Sequence, residues 1–144
     1  MPRKITFELP FQPPPELRGN SRAHWSVRHR KVKELREAVW VRLMEGVGSG
    51  IIESLPWARA RVTYTSYWCG KPIDHDGFAQ GMKAALDEIV DYGVLPDDGP
   101  SYVDGPYVRY VRVPHREDIR VVVEVEEVGA DGLAPRGPGV SDVT

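Results

Sequence analysis

The segment from residue 71 to 98 constrains the chain most, because it joins an acidic pair, a helix and a second acidic pair in one short stretch. Asp74 and Asp76 stand at positions i and i+2, which project to the same side when the backbone is extended. Apolar residues then recur at helical spacing from about residue 77 to 92. This pattern predicts a helix with one face on a core, and Gly93 is expected to end it.

The polar residues of this segment are suitable parts for a metal site. Lys83 lies on the polar side of the predicted helix, and the loop after the helix can return Asp98 towards Asp74 and Asp76, with Asp97 as the substitute in another register. Hard oxygen ligands favour Mg²⁺ or Mn²⁺. Three carboxylates and a lysine around a helix start are therefore candidates for a divalent-metal phosphodiester site.

The same residues also have a simpler structural interpretation. Asp76 can cap the helix, Asp74 can be solvated, and Lys83 can form an i,i+4 surface ion pair with Asp87. The residues from 97 to 100 can form an ordinary turn. Acidic caps and turns are common, so the spacing alone leaves both interpretations open.

The combined pattern resembles the signature of the RusA family, the Holliday junction resolvases of bacteria and their phages. The matching positions of the segment are Asp74, Asp76, Lys83, Leu86-Asp87, Gly93-Val94 and Asp97-Asp98. A proline-rich lead, Asn20 and Trp25 extend the resemblance upstream, and it covers most of the chain through about residue 128. Each piece is weak alone, and their combination is what carries the resemblance.

Two departures from the family pattern concern the start of the helix. Gly77 stands where the best-known members have an asparagine, and Lys83 follows Asp76 by seven positions instead of four. Three inserted residues shift the helical phase by only about −60°. Lys83 can therefore still face the carboxylates, and the spacing is similar to that of a variant branch of the family.

The resemblance implies a Mg²⁺-dependent, structure-selective DNA endonuclease that resolves four-way junctions by paired nicks. Asp74, Asp76 and Asp98 would hold Mg²⁺, with Mn²⁺ as a possible substitute, and Lys83 would stabilise charge in the transition state. A homodimer is expected, because paired nicks in a two-fold symmetric junction need two matching sites. The alternative is a catalytically silent module of the same fold that binds DNA junctions.

Basic residues are concentrated near the N-terminus. The first 42 residues hold ten Lys/Arg and four Asp/Glu, a net charge of +6, whereas the remaining 102 have a net charge of −8. Such asymmetry favours a part of the molecule that faces a polyanion. The candidate DNA contacts are Asn20, Arg22, Trp25, Arg28, Arg30 and Lys31. The alternative is a solvated basic helix with Trp25 in the core.

The remaining pattern predicts one α+β domain over residues 1–128. Alternation and β-branched runs predict strands at residues 4–9, 59–68, 106–113 and 118–128. Helical periodicity adds a helix over 26–44, and residues 51–57 are expected to be a connector. The order β-α-β-α-β-β corresponds to a mixed four-stranded sheet packed against helices, and the resemblance implies a RusA-like fold. Residues 129–144, with four Gly and two Pro, are expected to be a disordered tail.

Several classes of protein are excluded by what the sequence lacks. A single cysteine, Cys69, permits no internal disulfide and fits a reducing cytoplasm. No apolar run approaches membrane-spanning length, and the N-terminus has no signal-peptide core. The sequence has no Gly-rich phosphate loop, and we therefore expect no nucleotide cofactor. We therefore expect a soluble cytoplasmic protein that has no membrane partner, and the resemblance implies that it is associated with the nucleoid of a bacterial or phage-infected cell.

Overall fold

The computed structural model describes residues 3–19 and 21–128, so Asn20 and the predicted tail at 129–144 lie outside it. The strands and helices are β1 (Lys4–Leu9), α1 (Trp25–Gly46), α2 (Ser49–Ser54), β2 (Ala60–Trp68), α3 (His75–Gly81), α4 (Lys83–Tyr92), β3 (Val103–Arg112) and β4 (Arg120–Glu127). Two short 3-10 turns, Pro15–Leu17 and Arg116–Asp118, precede α1 and β4 respectively. None of the described helices is long and apolar enough to cross a membrane.

The four strands form one mixed sheet in the order β1-β4-β2-β3. β4 runs antiparallel to both of its neighbours, so that Val123 stands opposite Phe7 of β1 and opposite Tyr64 of β2. β2 and β3 are parallel, and parallel neighbours need a crossover connection, which α3 and α4 supply. The predicted α+β fold with a mixed four-stranded sheet and helices is confirmed.

The core lies between one face of the sheet and the helices. Alternate residues of β1 and β4 are buried, as the alternating sequence pattern predicts. α1 contributes Leu35, Val39 and Leu43, each no more than 1% exposed. Arg36 of α1 also reaches α4, where it donates hydrogen bonds to Glu88 at 2.9 Å and to Asp91. These contacts fix α4, which precedes Asp97 and Asp98, against α1.

The predicted helix over residues 77–92 is two helices. They meet at Met82, whose backbone angles of φ −92° and ψ 0° lie in the sparsely populated bridge region. The preceding residue, Gly81, packs so closely on the N-terminal loop that an added Cβ would lie 2.7 Å from the Cβ of Pro13. Glycine is also a poor helix former, and both effects favour a break at this point.

The end of the second helix follows the sequence prediction. Gly93 adopts the left-handed conformation with φ +108°. Its N–H donates to the carbonyl of Val90 at 2.9 Å. Glycine adopts this conformation without steric penalty, and for that reason it commonly terminates helices.

Three other predicted boundaries were wrong. Residues 49–54 form α2 where a connector was expected, and six residues are too few to show a helical period. β3 begins three residues before Pro106, a residue that can be accommodated because β3 is an edge strand. β4 begins at Arg120, because the residues just before it form the second 3-10 turn.

Candidate functional site

An open cavity of about 960 Å³ lies where the loop before α1, the β2–α3 loop, α3 and β3 meet. Its polar and aromatic lining residues are Arg18, Ser21, Trp68, Lys71, Asp74, His75, Asp76, Gln80 and Tyr110. Both aspartates of the first acidic pair therefore line one concave surface. The sequence prediction that they belong to one site is consistent with this arrangement.

Asp74 is fixed by the helix that follows it. It is the N-cap of α3, and its Oδ2 accepts a hydrogen bond from the N–H of Gly77 at 2.9 Å. A Cβ added to Gly77 would lie 2.9 Å from Oδ1 of Asp74, so glycine permits this close approach. The alternative interpretation that made Asp76 the cap is wrong. The glycine at position 77 thus has a local structural reason.

Asp76 lies in the first turn of α3, and its side chain is 93% exposed. The prediction that both aspartates lie on an extended segment is wrong, because Asp76 is already helical. His75, which lies between the two aspartates, lines the same cavity. Its Nδ1 lies 3.9 Å from Oδ1 of Asp76. The helix start, instead of a β-like alternation, brings all three side chains to one surface.

The second acidic pair has a different environment. Lys83 begins α4 and its Nζ donates hydrogen bonds to Oδ1 of Asp87 at 2.6 Å and to Asp98. Asp98, and not Asp97, accepts the hydrogen bond from Lys83. Oδ1 of Asp97 instead accepts the N–H of Asp98 at 2.8 Å. The i,i+4 ion pair between Lys83 and Asp87, one of the two interpretations of the sequence, is present.

This ion network shifts the pKa values of Lys83 and Asp98. The hydrogen bonds to Asp87 and Asp98 raise the pKa of Lys83 above its ordinary value. The hydrogen bond from Lys83 lowers the pKa of Asp98, and the charge of the lysine acts in the same direction. Both groups are therefore charged across the neutral range, and the network compensates the charge of Asp98 internally.

The fit of a divalent metal depends on which carboxylates come together. No group of three or more His, Cys, Asp or Glu side chains within residues 3–19 and 21–128 is placed to hold a metal ion. Asp98 and Lys83 do not line the cavity that contains Asp74 and Asp76. Mg²⁺ is usually bound through one or two carboxylates, with waters and substrate phosphates completing the shell. The Asp74–Asp76 pair fits that requirement.

Two cations, Arg18 from the loop before α1 and Lys71 from the β2–α3 loop, line the same cavity. Neither was predicted from the sequence. Arg18 donates from Nε and Nη2 to the carbonyl of Pro13 at 3.2 and 2.9 Å, which fixes its guanidinium. Burial lowers the pKa of Arg18, and the charges of Glu16 and Asp74 oppose that shift. Arginine remains protonated at neutral pH. Lys71 precedes the acidic pair by three residues, a proximity that could have identified it.

Tyr110 of β3 lines the cavity and packs against α3. Its ring meets that of Phe78 edge-to-face, with centroids 6.2 Å apart and planes at 71°, and the residue remains 40% exposed. Burial raises the pKa of the Tyr110 hydroxyl, and the charge of Asp74 adds to this shift. The hydroxyl therefore stays protonated at neutral pH. No local sequence signal connects β3 with the acidic pair.

The basic arm, which we define as residues 22–33 at the start of α1, presents an exposed aromatic side chain. Trp25 is 72% exposed, so the alternative that placed it in the core is wrong. The neighbouring ring of His24 lies 5.5 Å from it, and His24 Nδ1 accepts the N–H of Ser26 at 3.1 Å as the helix cap. Because Ser21 lines the cavity, the arm begins at the wall of the candidate site.

The predicted DNA contacts of the arm fall into two groups. Arg22 and Arg30 are exposed. Arg28 is partly buried and its Nη1 donates to the carbonyl of Glu16 at 2.7 Å, while Lys31 lies 3.4 Å from the carboxylate of Glu34. Arg28 therefore has a structural role in addition to any DNA contact. Arg22 and Arg30 are more available to a ligand.

Comparison of the chain with models of known protein families, and with curated protein sequences, gives no match. The functional proposal therefore depends on the residue pattern and on the geometry of the cavity. Asp74 and Asp76 are the residues on which pattern and geometry agree.

Proposed function

We propose that this chain is a Mg²⁺-dependent, structure-selective DNA endonuclease with a RusA-like fold, which resolves four-way junctions by paired nicks. The observation that carries the proposal is the placement of Asp74 and Asp76 in one cavity with Arg18 and Lys71. Carboxylates are suited to a divalent cation, and the nearby basic side chains are suited to the phosphates of the substrate. Both requirements of phosphodiester hydrolysis thus meet on one surface.

Asp74 and Asp76 would hold Mg²⁺ or Mn²⁺, which when bound polarises the scissile phosphate and lowers the pKa of a water molecule. The cap at the start of α3 holds Asp74 in one orientation before any ligand arrives. Asp76 is almost fully exposed, so little rearrangement is needed for its carboxylate to accept a ligand. Arg18 and Lys71 would neutralise the phosphates on either side of the cleaved bond.

Lys83 would act from the neighbouring turn, because it follows Gln80 of the cavity wall by three residues. In the free protein Asp87 and Asp98 hold its ammonium group. A substrate phosphate would compete with Asp87 and Asp98 for Lys83, and the ammonium group of Lys83 would then stabilise the negative charge that develops during cleavage. Asp98 was predicted as a third metal ligand, and that role would require Lys83 to move first to the phosphate. In the structure Asp98 instead positions the ammonium group of Lys83.

The arm would hold the DNA. Arg22 and Arg30 would contact phosphates, and the exposed ring of Trp25 offers a surface for stacking. Two such chains related by two-fold symmetry would present two cavities to the two strands that are cut. Sedimentation is expected to show a homodimer with and without junction DNA, and a strict monomer at micromolar concentration in both states would contradict it. The protein would act in the cytoplasm of a bacterial or phage-infected cell.

One observation favours a second candidate, a catalytically silent module that binds DNA junctions. Asp98 is already neutralised by Lys83, so the carboxylate set implied by the family pattern is not gathered in the free protein. In this alternative the cavity would bind branched DNA, and Asp74 would serve as a helix cap alone. Binding without cleavage would identify this second function.

The test compares Mg²⁺-dependent nicking of a synthetic four-way junction with that of a linear duplex of the same sequence. Paired, symmetry-related nicks in the junction alone are expected. Junction binding without nicks would favour the silent module. If the junction is neither bound nor cut, both candidate functions are wrong.

A further inference from the structure

A second groove, of about 540 Å³, adjoins the carboxylate cavity at the C-terminal ends of β2 and β3. The two depressions share Trp68, Lys71, Pro72 and Tyr110 as a common wall. From this wall the second groove continues over Val111 to Arg112. A ligand that occupies the groove would therefore reach the carboxylate pair without crossing a barrier of buried residues.

The aromatic side chains of the common wall are held in place by their neighbours. The ring of Tyr110 is fixed against Phe78, as described above, yet keeps a substantial exposed surface. Nε1 of Trp68 donates a hydrogen bond to the carbonyl of Lys71. Rings that are already positioned lose little conformational freedom when a flat ligand stacks on them.

The charge of the groove is of one sign. Lys71 and Arg112 are both exposed, and no acidic side chain lines the groove within the parts of the chain that the structure describes. Cations interleaved with aromatic rings bind the backbone and bases of single-stranded nucleic acids, and the rings accept any base because every base has a π face. In an intact duplex those faces are covered by the adjacent bases, so a stacking platform favours an unpaired strand.

We propose that this groove binds an unpaired stretch of DNA next to the cleavage site, with a base stacked on Tyr110 and its phosphates on Lys71 and Arg112. The inference rests on the proposed function and narrows its substrate to a strand that is locally single-stranded beside the carboxylate pair. The groove would deliver the adjoining phosphodiester to Asp74 and Asp76. It adds a contact surface distinct from the basic arm of α1.

The test measures the affinity of a fluorescently labelled oligothymidine by anisotropy, with EDTA present so that no cleavage occurs. Tyr110→Leu keeps an apolar contact to Phe78 but removes the ring, and is expected to weaken binding about fivefold or more, corresponding to the loss of one stacked base. Tyr110→Phe keeps the ring and is expected to retain most of the affinity. Trp40→Leu changes an exposed aromatic residue of α1 outside the groove and is the matched control.

A second variant tests the charge without altering the core. Arg112→Ala is expected to reduce the slope of log affinity against log salt by roughly 0.7 for the single strand, because one phosphate contact is lost. Unchanged oligothymidine affinity in Tyr110→Leu would overturn the proposal, as would an equal loss in the Trp40→Leu control. Thermal denaturation of each variant checks that the fold is retained.

The outcome also separates this inference from the nuclease proposal. Binding that depends on Tyr110, in a protein that never cuts junctions, would support the groove and reject the nuclease. Mg²⁺-dependent junction cleavage, together with oligothymidine binding that is unaffected by Tyr110→Leu, would support the nuclease and overturn the groove.

Discussion

The two acidic pairs of this protein are chemically alike and physically different. Asp74 and Asp76 line an open cavity, one as a fixed helix cap and the other with its carboxylate in solvent. Asp98 instead receives the ammonium group of Lys83, which it shares with Asp87. A carboxylate that already has a cation gains less from a metal than one that does not. The local counter-charge, more than residue type, therefore identifies the candidate metal ligands.

The largest effect is expected from Asp76→Asn. The change keeps the size of the side chain but removes the charge that a hard dication requires. Junction cleavage should fall roughly a thousandfold or more, while junction binding persists or tightens, since a negative charge facing the DNA backbone is lost. Single-turnover cleavage and a binding assay measure the two quantities. Because Asp76 is not the cap, its replacement should leave the unfolding free energy nearly unchanged, and full cleavage by this variant would refute the assigned site.

Two substitutions of Asp74 separate its catalytic role from its structural one. Asp74→Asn retains a capping oxygen, whereas Asp74→Ala removes the acceptor of the Gly77 N–H. Cleavage should be lost in both variants, but only Asp74→Ala should also lower the unfolding free energy, by about 1 kcal/mol. Urea denaturation measures the difference. Wild-type cleavage by Asp74→Asn would leave Asp74 with the cap as its sole function.

The basic arm offers a contrast of intermediate size between two arginines. Arg30→Ala should reduce the slope of log affinity against log salt, measured for binding to duplex DNA, by roughly 0.9, the value for one phosphate contact. Arg28→Ala also removes the hydrogen bond to the carbonyl of Glu16, and so should destabilise the fold by about 0.5–1.5 kcal/mol. Salt titrations and denaturation curves of both variants provide the measurements. If the triple replacement of Arg28, Arg30 and Lys31 leaves the slope unchanged, the arm is a solvated helix.

The smallest effect concerns the pH dependence of stability in the second acidic pair. The pKa of Asp98 is lower in the folded protein than its ordinary value of 3.8, so its ion pair stabilises the fold above that pH and is lost as the pH falls through the folded value. The pKa of Lys83 is raised above 10.5, so its contribution is complete below that pH and is lost in stronger alkali.

Thermal denaturation of Asp98→Asn checks this expectation. The melting temperature of the variant should be slightly lower than that of the wild type across the neutral range, and the difference should shrink below about pH 3.8. Exposed ion pairs contribute little to stability, so the shift is small. A difference that grows as the pH falls would contradict the stated role of Lys83.

Local patterns predicted much of the fold. The alternation of apolar residues in β1 and β4 identifies the buried face of each strand, and Gly93 marks the end of α4 in the expected conformation. The break at Met82 could not be predicted, because it depends on the close packing of Gly81 against Pro13, far away in the chain. The exposure of Trp25 was equally undetermined, since its position relative to the core depends on where α1 begins.

The candidate site was predicted only where its residues are close in sequence. Asp74 and Asp76 were identified as members of one site, and they share a cavity. The pairing of Asp98 with Lys83 depends on the path of the loop after α4, which spacing does not specify. Arg18 and Tyr110 come from segments that only the tertiary structure brings to the cavity.

The most direct test of the metal site is a titration of the protein with Mn²⁺, in which EPR spectroscopy measures the unbound ion. We expect the wild type and Asp98→Asn to bind Mn²⁺ alike, and Asp76→Asn to have lost most of this affinity. Undiminished Mn²⁺ binding by Asp76→Asn, with binding lost in Asp98→Asn, would contradict the claim that the first acidic pair is the metal site.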